Sequence, residues 1–280
     1  MKNKWIFILI FSLLFCEGKK ERFVSLGPAI TESIFILGKG DRIVGNTIYC
    51  TRPEEAKYIE KVGNVIDVNV EKIYSLKPDI VFATNLTNQK DIRKMKQLGL
   101  KIEIFGYPVN FQQLCNDFLR IGKIIGEEKK AREIIEKVKK EIKKIRVKKE
   151  KPKILIQVGT RPLWVAGKDA FVNDIIEFAG GKNVINGKGG IYSIEEIVKL
   201  NPDVIVITSM GIDAEEEKKF WEKYKMINAV KNRKIFVIES DKICSPTPLS
   251  FVDAVKELNK LIYEVNPCKN EKGINRSLYR

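Results

Sequence analysis

The chain repeats itself. Displaced by 124 positions, residues 69–84 (NVEKIYSLKPDIVFAT) fall on residues 193–208 (SIEEIVKLNPDVIVIT), with six of sixteen positions identical and most of the others similar. Each copy reads as a short helix capped by Asn69 or Ser193, whose side-chain oxygen can accept from the free N–H groups of the first turn. Each helix stops ahead of Pro78 or Pro202. A wholly apolar run follows, the pattern of a strand buried on both faces of a parallel sheet. Charged amphipathic helices are expected next, at about 88–98 and 214–231, followed by strands at Lys101–Phe105 and Lys234–Ile238. Ahead of each copy come a strand, a loop and a helix: Phe23–Leu26 then Ile30–Leu37, and Ile154–Val158 then Phe171–Ala179. Strands alternating with helices give parallel sheets with right-handed crossovers. The expected fold class is therefore α/β: two Rossmann-like lobes with parallel sheets, residues 22–125 and 151–267.

Residues 126–150 join the lobes. From Glu127 to Val147 there is neither Gly nor Pro, and Ala131, Ile134, Val138, Ile142 and Ile145 recur at spacings of three and four. That is one apolar stripe on a charged helix, roughly 30 Å long at 1.5 Å per residue. A flexible hinge would be rich in Gly or Ser, so the joint is expected to be one long rigid helix, ended by Pro152.

Residues 1–16 read as a signal peptide. Lys2 and Lys4 precede the apolar segment Trp5–Phe15, which is too short to span a bilayer, where about 20 residues are needed. Leu13-Leu14-Phe15-Cys16 resembles a bacterial lipobox, with Phe15 where that pattern has a small residue. Cys16 is then the expected lipidation site. The chain is expected to be exported to the periplasm or the outer face of the cytoplasmic membrane. Residues 268–280 form a polar, patternless tail.

Composition narrows the chemistry. The chain of 280 residues has no histidine, which excludes His-based general bases, Ser-His-Asp and Cys-His pairs, and imidazole ligation of zinc or haem. There is no GxxxxGK[ST] and no GxGxxG following a strand, and no carboxylate pair is placed at a shared centre. The expectation is no enzyme, no metal site and no cofactor. Cys50, Cys115, Cys244 and Cys268 contain no CxxC. Cys115 lies on an apolar helical pattern, and four cysteines leave three disulfide connectivities open. The formal net charge of +15 suggests an anionic partner. Much of it, however, sits on residues 127–151, with twelve Lys or Arg against six Glu, and on the tail. No basic stripe is interleaved with aromatics, so nucleic acid is not expected as a partner.

Ligands of open α/β sheets sit beyond the carboxyl ends of the strands, and in a two-lobed chain those ends face one cleft. The loops in question carry Gly27 and Pro28, Tyr49 with Arg52, Tyr107, Trp164, Tyr192 and Asp241. Aromatic faces suit a large, flat or partly apolar ligand.

With these loops and the repeat, the sequence resembles the helical-backbone solute-binding proteins of ABC importers for cobalamin and ferric siderophores. The likeness runs over about residues 22–266. It is carried by Val24–Glu32, Val68–Ile73 with Leu76–Asp79, Gln157–Trp164, Ala166–Asp169, Phe178–Val184 and Glu195–Asp203. The stretches Gln157–Trp164 and Gly167–Val184 are most similar to the periplasmic cobalamin-binding branch. The resemblance implies a cleft that clamps a metal chelate, either a corrinoid or a siderophore, with aromatic residues of both lobes; Tyr49 and Trp164 match or lie near such positions. It further implies a permease of the inner membrane as partner, recognising one glutamate on each lobe. Those positions are Glu71 and Glu195, equivalent in the repeat, with Glu196 adjacent. The protein is expected to act as a monomer. Haem is disfavoured without an axial histidine, although a tyrosine could serve. Zinc and manganese are disfavoured on the same ground.

Overall fold

In the computed structural model, residues 20–208 and 213–263 are described. The signal segment, Cys16, Cys268 and the tail lie outside them. The first half runs β1 (Phe23–Ser25), α1 (Pro28–Ile36), β2 (Ile43–Asn46), α2 (Val70–Ser75), β3 (Ile80–Thr84), α3 (Gln89–Gln97), β4 (Ile102–Phe105) and α4 (Phe111–Ile124). Its four strands pair in the order β2-β1-β3-β4, all parallel. Next comes α5 (Glu128–Lys143). The second half begins with β5 (Lys153–Gly159), β6 (Trp164–Val165), α6 (Val172–Phe178), β7 (Lys182–Asn183) and β8 (Gly190–Ile191). It continues with α7 (Ile194–Leu200), β9 (Val204–Thr208), α8 (Ala214–Glu222), α9 (Asn228–Lys231), β10 (Ile235–Ile238), α10 (Ser240–Cys244) and α11 (Pro248–Tyr263). Among the described residues no helix is long and apolar enough to cross a membrane.

The second sheet departs from the expected all-parallel plan. Its order is β10-β9-β5-β6-β8, with β7 also on β5. The strands β10, β9, β5 and β7 are parallel, whereas β6 runs antiparallel to β5 and to β8. The reason is the length of the connection: only residues 160–163 lie between β5 and β6. A parallel pairing needs a crossover of a dozen or more residues. The expected helix over 214–231 is also broken, into α8 and α9. The chain turns between them to bury Ile227 and to let the Ala229 amide donate to the Pro202 carbonyl (2.9 Å).

Both copies of the repeat share one corner. Asn69 accepts from the Lys72 amide, and Ser193 from the Glu196 amide in a full capping box. At the other end of each helix, Lys77 and Asn201 take left-handed backbone conformations (φ 48° and 47°) that turn the chain toward the proline. The aspartate after that proline then grips the foot of the neighbouring strand. Asp79 accepts from the Arg22 amide (2.8 Å), and Asp203 accepts from the Lys153 amide (2.8 Å). The Arg22 guanidinium and the Lys153 ammonium donate in turn to the carbonyls of Leu76 (2.9 Å) and Leu200 (3.0 Å), which the helix ends leave free. These bonds lock β3 beside β1 and β9 beside β5, giving the halves the matching orders β1-β3-β4 and β5-β9-β10.

The halves are not separate bodies. One continuous core reaches from Phe23 and Phe82 of the first sheet to Ile154 and Val206 of the second. Where they meet, Phe111 stacks on Phe251 (4.7 Å between centroids), Phe178 packs edge-on to both, and the Phe111 amide donates to Asp174 (2.7 Å). The helix α5 is shorter than the stripe implied, about 24 Å at 1.5 Å per residue. It buries Ala131, Ile135 and Val138, with Ile134, Ile142 and Ile145 only partly covered. Beyond Lys143 the chain leaves the helix so that the Arg146 carbonyl can accept from Asn259 of α11 (3.0 Å).

The seam between α5 and α11 carries an ionic clasp. Glu141 of α5 accepts from Lys144 and from Lys256 of α11, each at 2.9 Å. These two cations hold its carboxyl at about 2. A carboxyl so lowered adds stability above its ordinary value near 4.5, and that share is lost as the pH falls toward 2. In thermal unfolding measured across pH, Glu141→Gln should lower the melting temperature slightly at neutral pH, as expected for an exposed pair, and converge with the parent near pH 2, so that its decline over that window is flatter.

Candidate functional site

The carboxyl ends of β1, β3, β4 and β5 open on a cavity of about 1140 Å³ between the halves. Its walls come from the loops that follow those strands, because the shared corners align the strand ends on one edge of each sheet. Gly27 and Pro28 open α1 at the cavity edge. A side chain at Gly27 would press to 2.7 Å from the Thr84 methyl, so this close crossing requires glycine. Tyr49 stands on the loop after β2 and is 59% exposed; Trp164 stands on β6 in the other half and is 47% exposed. Tyr107, after β4, presents its ring to the cavity while its hydroxyl donates across to the Cys244 carbonyl (3.0 Å). Desolvation pushes this phenol well above its ordinary value, so it stays neutral.

Six of the seven expected ligand-contact positions therefore line one cavity: Gly27, Pro28, Tyr49, Tyr107, Trp164 and Asp241. Tyr192 does not. It follows the last residue of β8, packs against the cluster of Leu155, Leu163 and Ile197, and donates its hydroxyl to the Lys188 carbonyl (3.3 Å). Glu71 and Glu195 lie outside the cavity, in the first turns of α2 and α7, both exposed. Glu71 pairs with Lys94 of α3, which lowers its carboxyl. Glu195 has no such partner among the described residues, whereas Glu196 is spent on the capping box of α7.

Arg52, expected on a cleft loop, takes a role that the sequence does not disclose: it bridges the halves beside the cavity residues Thr51 and Asp241. It pairs with Glu32 of α1 (2.9 Å) and with Asp241 of α10 (3.4 Å), and donates to the Asp241 carbonyl (3.2 Å). Burial raises the Glu32 carboxyl more than Arg52 lowers it. Other site residues escape sequence reasoning. Ile48, Ile66 and Leu86, each more than half exposed, add apolar rim in the first half. Asp67, Asp117 and Asp169 also line the wall. For Asp117 the sequence did hold a signal: a carboxylate set within the apolar stripe Leu114, Phe118, Ile121. Cys50, Cys115 and Cys244 are free thiols. Burial raises Cys115 to about 12 and Cys244 to about 11. Among the described residues no cluster of His, Cys, Asp or Glu could hold a metal ion.

A two-halved α/β chain with a ligand-sized cavity at the strand ends has many relatives. The profile described as periplasmic binding protein matches residues 23–242. The chain belongs to the periplasmic binding protein family. It is 35% identical to YvrC, an ABC transporter substrate-binding lipoprotein of Bacillus subtilis, over 88% of this chain and 81% of that one. It is 26% identical to the vitamin B12-binding protein of Yersinia pestis, over 76% and 79% of the two chains. The crystal structure of a Staphylococcus epidermidis protein, described as a possible iron-binding, periplasmic solute-binding protein, superposes with a TM-score of 0.78. That pair shares 29% identity over 88% of this chain and all of the other. Membership of this family makes the chain a substrate-binding protein of the ABC-transporter kind.

Proposed function

We propose that this protein captures cobalamin or a related corrinoid outside the cytoplasmic membrane and delivers it to the permease of an ABC importer. The observation that carries this reading is the pair of half-exposed aromatics, Tyr49 and Trp164, presented from opposite halves into one cavity of about 1140 Å³. Pockets for small ligands run to about 1,000 Å³ at most, and two aromatic walls suit a broad macrocycle. The likeness to a vitamin B12-binding protein supports the same choice. Haem fits less well: the chain has no histidine and the phenol of Tyr107 is engaged with Cys244, which leaves Tyr49 as the lining phenol that could serve as an axial oxygen. A ferric siderophore is the second reading, supported by the likeness to the iron-binding protein of Staphylococcus epidermidis.

Residues 22–125 and 151–267 act as the two lobes and α5 as the rigid joint between them. Glu71 and Glu195 act as paired contacts for the permease. An acid in the first helical turn is favoured by the macrodipole by about 0.3–1 kcal/mol in any protein. That effect does not require acids at equivalent places on two halves. Cys16 ties the exported, monomeric chain to the membrane by a lipid.

Tryptophan emission tests the ligand. Trp164 stands at the cavity and Trp221 is fully buried, so micromolar cobalamin should quench the former. Trp164→Ala should lose most of the quench and weaken binding by about tenfold. No quenching with cobalamin sinks the corrinoid reading. Changing both Glu71→Ala and Glu195→Ala should leave cobalamin binding intact and stop uptake in a reconstituted importer; unchanged uptake refutes the contact. Mass analysis of the mature protein should show a diacylglyceryl-modified Cys16, and an unmodified Cys16 disproves the anchor.

A further inference from the structure

The wall of the cavity runs against the charge of the chain. The protein carries a formal net charge of +15, yet among the described residues lining the cavity there is no Lys or Arg, and there are four aspartates. Asp241 is offset by Arg52. The other three make no ion pair among the described residues. Asp67 is exposed at the rim. Asp169 accepts only the Gly189 amide (2.9 Å). Asp117 lies on α4 with one carboxylate oxygen buried and unpartnered. Burial raises the Asp117 carboxyl more than the charge of Arg120, one turn further along that helix, lowers it. The Arg120 guanidinium makes no ion pair with it and is held by Glu103 (2.6 Å) and the Ile104 carbonyl (3.0 Å), over the ring of Phe105.

A carboxylate offers acceptors alone. A ligand edge of amide N–H groups or an ammonium satisfies it, whereas an edge of carboxylates or catecholates meets like charge, screened by water at the exposed Asp67 and Asp169 and less so at the half-buried Asp117. We propose that the cavity selects its chelate by charge, admitting neutral and cationic ligands with hydrogen-bond donors at their edge and rejecting anionic ones, through Asp67, Asp117 and Asp169. This deepens the corrinoid reading and rests on it for the choice of cavity and ligand. A corrin ring fringed with amides meets the requirement. Its biosynthetic precursor type, the same ring fringed with free acids, does not, and neither does haem with two propionates.

The test uses the mature protein and two matched pairs of probes followed by Trp164 quenching and calorimetry. Cobinamide and cobyrinic acid share ring and cobalt but differ in amide against carboxylate edges. A cationic ferric trihydroxamate and a triply anionic ferric tris-catecholate form the second pair. Cobyrinic acid should bind about a hundredfold more weakly than cobinamide. The isosteric change of Asp67→Asn with Asp117→Asn, its fold checked by thermal unfolding, should narrow that gap about tenfold, chiefly by tightening cobyrinic acid. Equal binding of the two corrinoids, or a gap that the double variant leaves untouched, overturns the proposal. If neither corrinoid binds but the cationic ferric complex binds better than the anionic one, the corrinoid reading falls and charge selection stands. A preference for the anionic ferric complex overturns charge selection, and binding of none of the four overturns both.

Discussion

A carboxylate after a proline, gripping the amide at the foot of the next strand, is the constraint on which both halves depend. Asp79 and Asp203 each make this bond at 2.8 Å. It sets which strand lies beside which and in what register, because the amide it grips belongs to the residue at the start of β1 or β5. The cation on that same residue closes the open end of the preceding helix. Four requirements meet in a few residues: a helix stop, a left-handed turn, a strand start and a strand pairing. Once they are met, the strands end on a common edge, and the loops that leave that edge face one another across the cavity.

Much of this was legible because it is local. Caps, prolines and apolar runs act within a few residues of themselves, so the repeat disclosed α2 with β3 and α7 with β9 nearly to the residue. The loops expected to carry Tyr49, Tyr107 and Trp164 do reach one cavity. What stayed hidden depends on partners far along the chain. Strands of two residues, such as β6 and β8, have no periodicity to read. Tyr192 shares the aromatic character of the cavity residues, yet the cluster around Leu155 and Ile197 claims it. On α5 the sequence pattern assigns Ile134 to the buried stripe, whereas the packing neighbours bury Ile135, one position on, and leave Ile134 partly covered.

Charge misleads in a parallel way. A composition sums over the surface, and most of the excess here lies on a solvated connecting helix and at the chain end. The cavity has the opposite character because each half contributes two aspartates to it, Asp67 and Asp117 from the first and Asp169 and Asp241 from the second. Arg52, which pairs with the cavity residue Asp241 and with Glu32, is consumed in holding the halves together. No window of sequence contains that arrangement.

The shared core, the stacked Phe111 and Phe251, and α11 laid across α4 and α5 fix the walls when the chain folds. Little ordering is then left for the moment of capture. With the walls braced by this packing, differences in affinity among ligands of the cavity are expected in dwell time more than in arrival rate. A site braced in this way favours a ligand whose shape already matches it and yields little to one that does not.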